Sequence, residues 1–168
     1  MIDVKDFHQS QRGYFAGYLY NEMEKNPDIY LLVGDLGYGA FDRHFKDFPN
    51  RCINTGASEQ ALVGMAVGLA LEGKKPFVYS ITPFLLYRPF EWIRNYINHE
   101  KIPVRLIGAG RDRDYLDDGF SHWSEEADDV LGLFRNIRTL HPKKKENIKA
   151  MFKMMVEENN PWFISLKR

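Results

Sequence analysis

Short apolar runs alternate with longer amphipathic ones along the whole chain. Six runs read as strands: residues 29–33, 51–54, 76–80, 104–108, 137–140 and 162–166. Most are apolar at consecutive positions, the pattern of parallel strands covered on both faces. Between them, apolar residues recur at three- and four-residue spacing, predicting helices over 9–24, 58–72, 84–98, 125–135 and 143–159. In the first helix, Phe15, Tyr18, Leu19 and Met23 share one stripe, and Pro27 marks the exit. In the second, Leu62, Met65, Ala66 and Leu69 fall together, and Gly73 closes the element. The alternation predicts a doubly wound α/β domain: a mainly parallel six-stranded sheet with helices on both faces, with 1–168 as one domain. Ligands of such sheets sit at the carboxyl ends of the strands. That directs attention to the loops at 34–41, 55–59, 81–84 and 109–124.

Composition narrows the picture. A chain of 168 residues that is 44% hydrophobic has the size and content of one globular domain. Lys plus Arg and Asp plus Glu both number 23, so the formal net charge is zero. No global field is left to hold nucleic acid or an anionic membrane, and little self-repulsion opposes association with a partner. Residues 1–15 hold no apolar run suited to a signal peptide, and no stretch has the length of a membrane span, so a cytoplasmic location is expected. Cys52 is the single cysteine, which excludes an intrachain disulfide; in a strand it reads as a small core residue.

The loops carry the candidate chemistry. The glycines of the 34–39 loop, GDLGYG, lack dinucleotide or P-loop spacing and read as a tight turn with close backbone approach. Glu59 opens a helix rich in small residues (Ala57, Ala61, Gly64, Ala66, Gly68 and Ala70). Read alone it is a first-turn carboxylate facing the helix dipole. Among such apolar, small neighbours it is expected to be partly buried, and a buried carboxylate usually has a partner or a task. Residues 84–94, FLLYRPFEWIR, set Phe84, Tyr87 and Phe90 one turn apart, which periodicity reads as core packing. Asp112, Asp114, Asp117, Asp118 and His122 follow neither calcium-loop nor zinc spacing. Lys143–Lys145 reads as a solvated helix face.

Taken together, these segments resemble the pyrimidine-binding (Pyr) domain of the transketolase family over residues 10–166. Residues 50–72, NRCINTGASEQALVGMAVGLALE, resemble the strand, Gly-x-x-Glu turn and small-residue helix of that family. Residues 76–95 resemble its next strand, aromatic loop and helix. Residues 118–122, DGFSH, resemble its Asp-Gly-Pro-Thr-His loop, with Phe120 for Pro and Ser121 for Thr, and Gly34-Asp35-Leu36 stands at its Ala-Asp-Leu-like turn. The resemblance implies thiamine diphosphate as cofactor. Glu59 is then the acid on the pyrimidine ring nitrogen that promotes loss of the C2 proton, a role suited to a protonatable carboxyl in an apolar site. Phe84 and Tyr87 line the pyrimidine, and Asp35 and Leu36 touch the cofactor. Asp118 and His122 face a sugar substrate, with His122 assisting proton transfer or oxygen stabilisation.

The family's diphosphate site, with its Gly-Asp-Gly and Asn metal ligands, belongs to a separate domain, and Gly34-Asp35-Leu36 does not reproduce it. The resemblance therefore implies a partner subunit with the diphosphate-binding domain. That partner holds Mg2+ or Ca2+ and shares the cofactor in a two-plus-two heterotetramer. The activity implied is transfer of a two-carbon ketol unit between sugars. The alternatives are a 2-oxoacid decarboxylase or dehydrogenase subunit and a non-catalytic interaction subunit. The DGFSH loop favours transketolase chemistry over the former, and the retained Glu59, Phe84, Tyr87 and His122 argue against the latter. Where transketolases grip a sugar phosphate through Ser, His and Arg, the nearest positions here are Gly39, Gly110 and His141. That departure leads one to expect a different or modified sugar.

Overall fold

A computed structural model describes residues 2–168; Met1, included in the predicted domain, lies outside the described residues. The sheet has the strands β1 (Ile29–Val33), β2 (Cys52–Asn54), β3 (Lys75–Ile81), β4 (Arg105–Ala109), β5 (Arg138–Leu140) and β6 (Trp162–Leu166). Their order is β2-β1-β3-β4-β6-β5, and every pairing is parallel. Alternate strand residues feed two apolar layers. Leu31, Val33, Phe77, Tyr79, Ile107 and Ile164 pack beneath α1 (Gln11–Lys25) and α7 (Ile148–Glu157). Leu32, Val78, Leu106 and Phe163 pack beneath α3 (Glu59–Leu71) and α4 (Thr82–Tyr87) on the other face. Because the inner strands β1, β3, β4 and β6 lose water on both sides, they read as nearly continuous apolar runs, whereas the edge strands β2 and β5 are partly exposed. Full burial of one such side chain contributes roughly 1.5–3 kcal/mol.

Three segments differ from the sequence-based expectation. The helix predicted over 84–98 is broken into α4, the short α5 (Phe90–Trp92) and a π-turn at Ile93–His99. Pro89 is the cause: it has no N–H to give and its ring crowds the preceding turn. A six-residue helix, α2 (Asp42–Asp47), was not anticipated; its N-cap is Phe41, whose side chain makes no capping bond. The helix predicted over 125–135 shrinks to α6 (Ala127–Gly132). The long 109–124 loop folds into 3-10 turns at Leu116–Asp118 and Phe120–His122, tied by an Asp112–Ser124 bridge.

The winding reverses at the middle of the sheet. From β1 the chain moves outward to β2, then returns past β1 to β3 on its other side. The carboxyl ends of β1 and β3 therefore flank the crevice where doubly wound sheets hold ligands. Among the described residues, no helix is long and apolar enough to cross a membrane. Cys52 is buried, and burial pushes its thiol up to about 12, so it serves as a core residue.

Candidate active site

At this crevice α3 begins with Glu59, and α4 starts directly from β3. Pro83 sits in the first turn of α4, where a missing N–H costs nothing. The buried Thr82 hydroxyl donates to the carbonyls of Ala109 (3.2 Å) and Gly110 (2.6 Å), fixing the start of α4 against β4. Phe84 follows on the partly exposed side of that first turn.

Glu59 is only 2% exposed. Its surroundings are less apolar than the sequence led one to expect. The Ser80 hydroxyl donates to Oε1 at 3.2 Å, and the Arg88 guanidinium donates to Oε2 at 2.8 Å. Gly34 passes close by: a Cβ there would stand 3.4 Å from Oε1 and 3.5 Å from Leu62 Cδ2. Arg88 owes its reach to the Pro89 break, which ends α4 at Tyr87; its own carbonyl accepts a hydrogen bond from Gln60 Nε2 at 3.3 Å. The guanidinium carbon lies 3.8 Å from the centroid of the Phe84 ring.

Phe84 also meets His122 edge-on, with centroids 4.9 Å apart. His122 is half-buried, and its Nδ1 pairs with the Ser121 hydroxyl at 3.1 Å. His122, Asp118 and Leu36 line one cleft of about 560 Å³ together with Arg12, Tyr115 and Arg168. Arg12 donates to the Tyr115 hydroxyl at 3.2 Å and keeps its buried Nε without a partner. The Arg168 guanidinium stands over the Tyr115 ring at 5.2 Å.

The structure thus brings Glu59, Phe84 and His122 together and sets Leu36, Asp118 and His122 on one cleft. Asp35 is exposed at a positive φ of 56° and turns to its own neighbours. Hydrogen bonds from Tyr38 and then Asn54 hold its carboxyl below the usual range. Tyr87 is half-buried and packs against the α3/α4 core layer; burial first, then nearby Glu126, raises its phenol. Gly39 lines the cleft without a side chain, and a Cβ at Gly110 would collide with the Tyr115 ring. His141 lies at the edge strand, 3.5 Å from Asp128, and takes no part in the cleft. The cations there are Arg12 and Arg168, near opposite ends of the chain, and no local motif announces them. Ser80 and Arg88 were missed as well; an arginine before a helix-breaking proline beside Glu59's helix was the available signal.

Comparison with known proteins agrees with this fold. The family model "Transketolase, pyrimidine binding domain" matches residues 9–168. The chain belongs to this family. It is 31% identical over 145 residues to an apulose-4-phosphate transketolase subunit of Actinobacillus succinogenes, covering 86% of this chain and 47% of that protein. It is 25% identical over 168 residues to the 6-deoxy-6-sulfo-D-fructose transketolase subunit of a Clostridium species, covering 99% and 52%. A split-gene transketolase solved as an inactive beta4 tetramer superposes with a TM-score of 0.82 at 30% identity, over 95% of this chain and 51% of that one. The Pyr chain described here spans about half the length of the curated relatives it matches.

Proposed function

We propose that this chain is the pyrimidine-binding part of a two-chain, thiamine diphosphate-dependent, transketolase-like enzyme that moves a two-carbon ketol unit between sugars. The observation that carries the reading is Glu59: a buried carboxylate at the start of α3, beside the sheet's switch point, with one oxygen held by Ser80 and the other by Arg88, whose guanidinium lies over the flat Phe84 ring.

These residues fit the aminopyrimidine half of the cofactor. Phe84 offers a ring face of the right size, now covered by a planar guanidinium. Gly34 passes beside Glu59, where an added Cβ would stand in ordinary contact with Oε1. Thiamine diphosphate, when bound, supplies a nucleophilic carbon that accepts the ketol unit. Glu59 holds and returns a proton at the pyrimidine ring nitrogen, with Ser80 orienting the carboxyl so that Oε2 does this work. Phe84 keeps the ring plane fixed. His122, resting on Phe84, gives or takes a proton at a substrate oxygen inside the cleft. Asp118 stands beside it to orient a sugar hydroxyl. Leu36 walls the cleft, whereas Asp35 and Tyr87 shape the turn and the core behind it.

Arg12 and Arg168 supply the cleft with two guanidinium groups, and we assign them to an anionic group at the far end of the sugar. Two relatives are named for such sugars, one a phosphate and one a sulfonate. The diphosphate and its metal ion fall to a partner subunit, in a two-plus-two heterotetramer in the cytoplasm. The test is reconstitution with a second polypeptide carrying the diphosphate-binding domain, plus thiamine diphosphate and Mg2+. Ketol transfer between sugar phosphates or sulfonates that needs both chains supports the reading. Decarboxylation of a 2-oxoacid in place of ketol transfer would replace it.

A further inference from the structure

Arg88 makes both contacts that the site offers to a flat ring. Its Nη1 reaches Glu59 Oε2 at 2.8 Å, and its guanidinium carbon stands 3.8 Å from the Phe84 centroid. A pyrimidine stacked on Phe84 with a ring nitrogen on Glu59 needs the same face. It also competes for the same oxygen, because Oε1 faces the buried Ser80 hydroxyl and the Gly34 backbone. Whether the ring or the carboxyl carries the shared proton, the position on Oε2 is the one Arg88 holds. A guanidinium is planar and delocalised with its N–H groups in the plane, so it matches the flat shape of the ring and fills the hydrogen-bonding position on Oε2 that a ring nitrogen would take.

We propose that Arg88 is a placeholder for the cofactor: it fills the pyrimidine subsite of the free chain and swings into solvent when the ring enters. The inference rests on the reading of Glu59 and Phe84 as the pyrimidine site.

The local structure suits an exchange. The Arg88 side chain is 46% exposed while that of Glu59 is 1% exposed, so the cation can leave and the carboxylate cannot follow. The Arg88 backbone is held in place: its carbonyl accepts from Gln60, and Pro89 follows. Motion is thereby confined to the side chain. An empty subsite would leave a buried carboxylate without its cation, a costly arrangement. With Arg88 present, Glu59 passes from one planar hydrogen-bonding partner to another without standing unpartnered. The consequence is a reduced apparent affinity, because only the fraction of chains with Arg88 swung out can accept the ring. A ligand able only to stack, or only to hydrogen-bond, regains part of what Arg88 gives up. The subsite therefore selects for a ring that does both.

The test uses the full chain and the aminopyrimidine fragment of thiamine, titrated under NMR observation of the Arg88 side-chain N–H and Phe84 ring signals. In the wild type, binding is expected to release the Arg88 N–H to solvent exchange. In Arg88→Met the fragment is expected to bind at least about tenfold tighter, as removal of a self-ligand populating the closed state about nine-tenths of the time would give. Arg88→Gln, which keeps a donor for Glu59 but loses charge and breadth, is expected to fall between and serves if Arg88→Met folds poorly. Equal or weaker binding by these variants, or a wild-type Arg88 N–H that stays protected at saturation, overturns the placeholder. If adding Glu59→Gln or Phe84→Ala to Arg88→Met leaves fragment affinity unchanged, the pyrimidine-site reading itself has failed.

Discussion

The Phe84 and His122 rings stand edge to face at 66°, their centroids 4.9 Å apart. This contact joins α4, which positions the proposed cofactor wall, to the 109–124 loop, which positions the proposed acid–base group. The two substitutions should therefore read out differently. His122→Asn is expected to lower kcat/KM by about 10²–10⁴-fold while leaving cofactor affinity near wild type. Phe84→Ala is expected to weaken cofactor binding and also lower turnover, because His122 loses its support. Calorimetry and steady-state kinetics on the reconstituted enzyme separate the two. Loss of cofactor affinity in His122→Asn would place that ring in the wrong subsite.

Arg12 and Arg168 each bring a guanidinium to the cleft, and the Nε of Arg12 is buried behind it without a partner. A charge-assisted hydrogen bond is worth roughly 1.5–3 kcal/mol. Arg12→Met is therefore expected to raise KM for a phosphorylated or sulfonated sugar by about 10–100-fold, with little change for the matching neutral sugar. Kinetics with the paired substrates check this. An equal loss for both sugars would mean that Arg12 supports the cleft wall through Tyr115 and does not read an anion.

What could be read in advance followed from how locally each feature is encoded. The inner strands stood out because two-sided burial makes them apolar runs, as in Phe77-Val78-Tyr79. Glu59 and His122 stood out because each lies in a short contiguous motif. The α2 helix carried no capping signal, and its apolar contribution is little more than the buried Phe41 before it and the partly buried Phe45 within it. The break at Pro89 was visible as a residue, but the ion pair it permits depends on where α3 lies. Arg12 and Arg168 meet only because α1 and the end of β6 converge near the same crevice. Gln11 shows this convergence, accepting from the Lys167 N–H at 2.9 Å and donating to the Pro142 carbonyl at 3.0 Å.

Gly108 marks how tightly the crevice floor is packed. A Cβ there would lie 2.6 Å from Thr82 Oγ1 and 2.7 Å from Phe163 Cζ. Gly108→Ala is expected to destabilise the chain by about 1–3 kcal/mol and to shift the NMR signals of Phe84, since Thr82 anchors the first turn of α4. Urea unfolding measures the first effect. An unchanged midpoint would show that β4 can move off Thr82 without loss.

His44 is fully buried beside Phe7, Tyr20 and Phe41, and its Nε2 pairs with the Ala16 carbonyl at 3.0 Å. Burial is the main cause that lowers its pKa from 6.5 to about 4. A folded-state value below the unfolded one means that the unfolded chain binds the proton first. The stability present above pH 6.5 is therefore lost as pH falls toward about 4, by on the order of 3 kcal/mol. Urea midpoints across that window should fall in the wild type and fall less in His44→Gln, whose amide can still donate to Ala16. Equal slopes would assign the acid sensitivity to other groups.

The measurement that bears most directly on the whole account is exchange of the C2 proton of thiamine diphosphate, followed by NMR in the complex with the diphosphate-binding partner. Glu59→Gln keeps the size of the side chain and suits the first turn of α3. It retains an acceptor for Ser80 but cannot pass a proton to the pyrimidine ring. The account predicts a folded complex that still binds cofactor and exchanges the C2 proton about 10²–10⁴-fold more slowly than wild type. Exchange at the wild-type rate in Glu59→Gln would contradict the central claim.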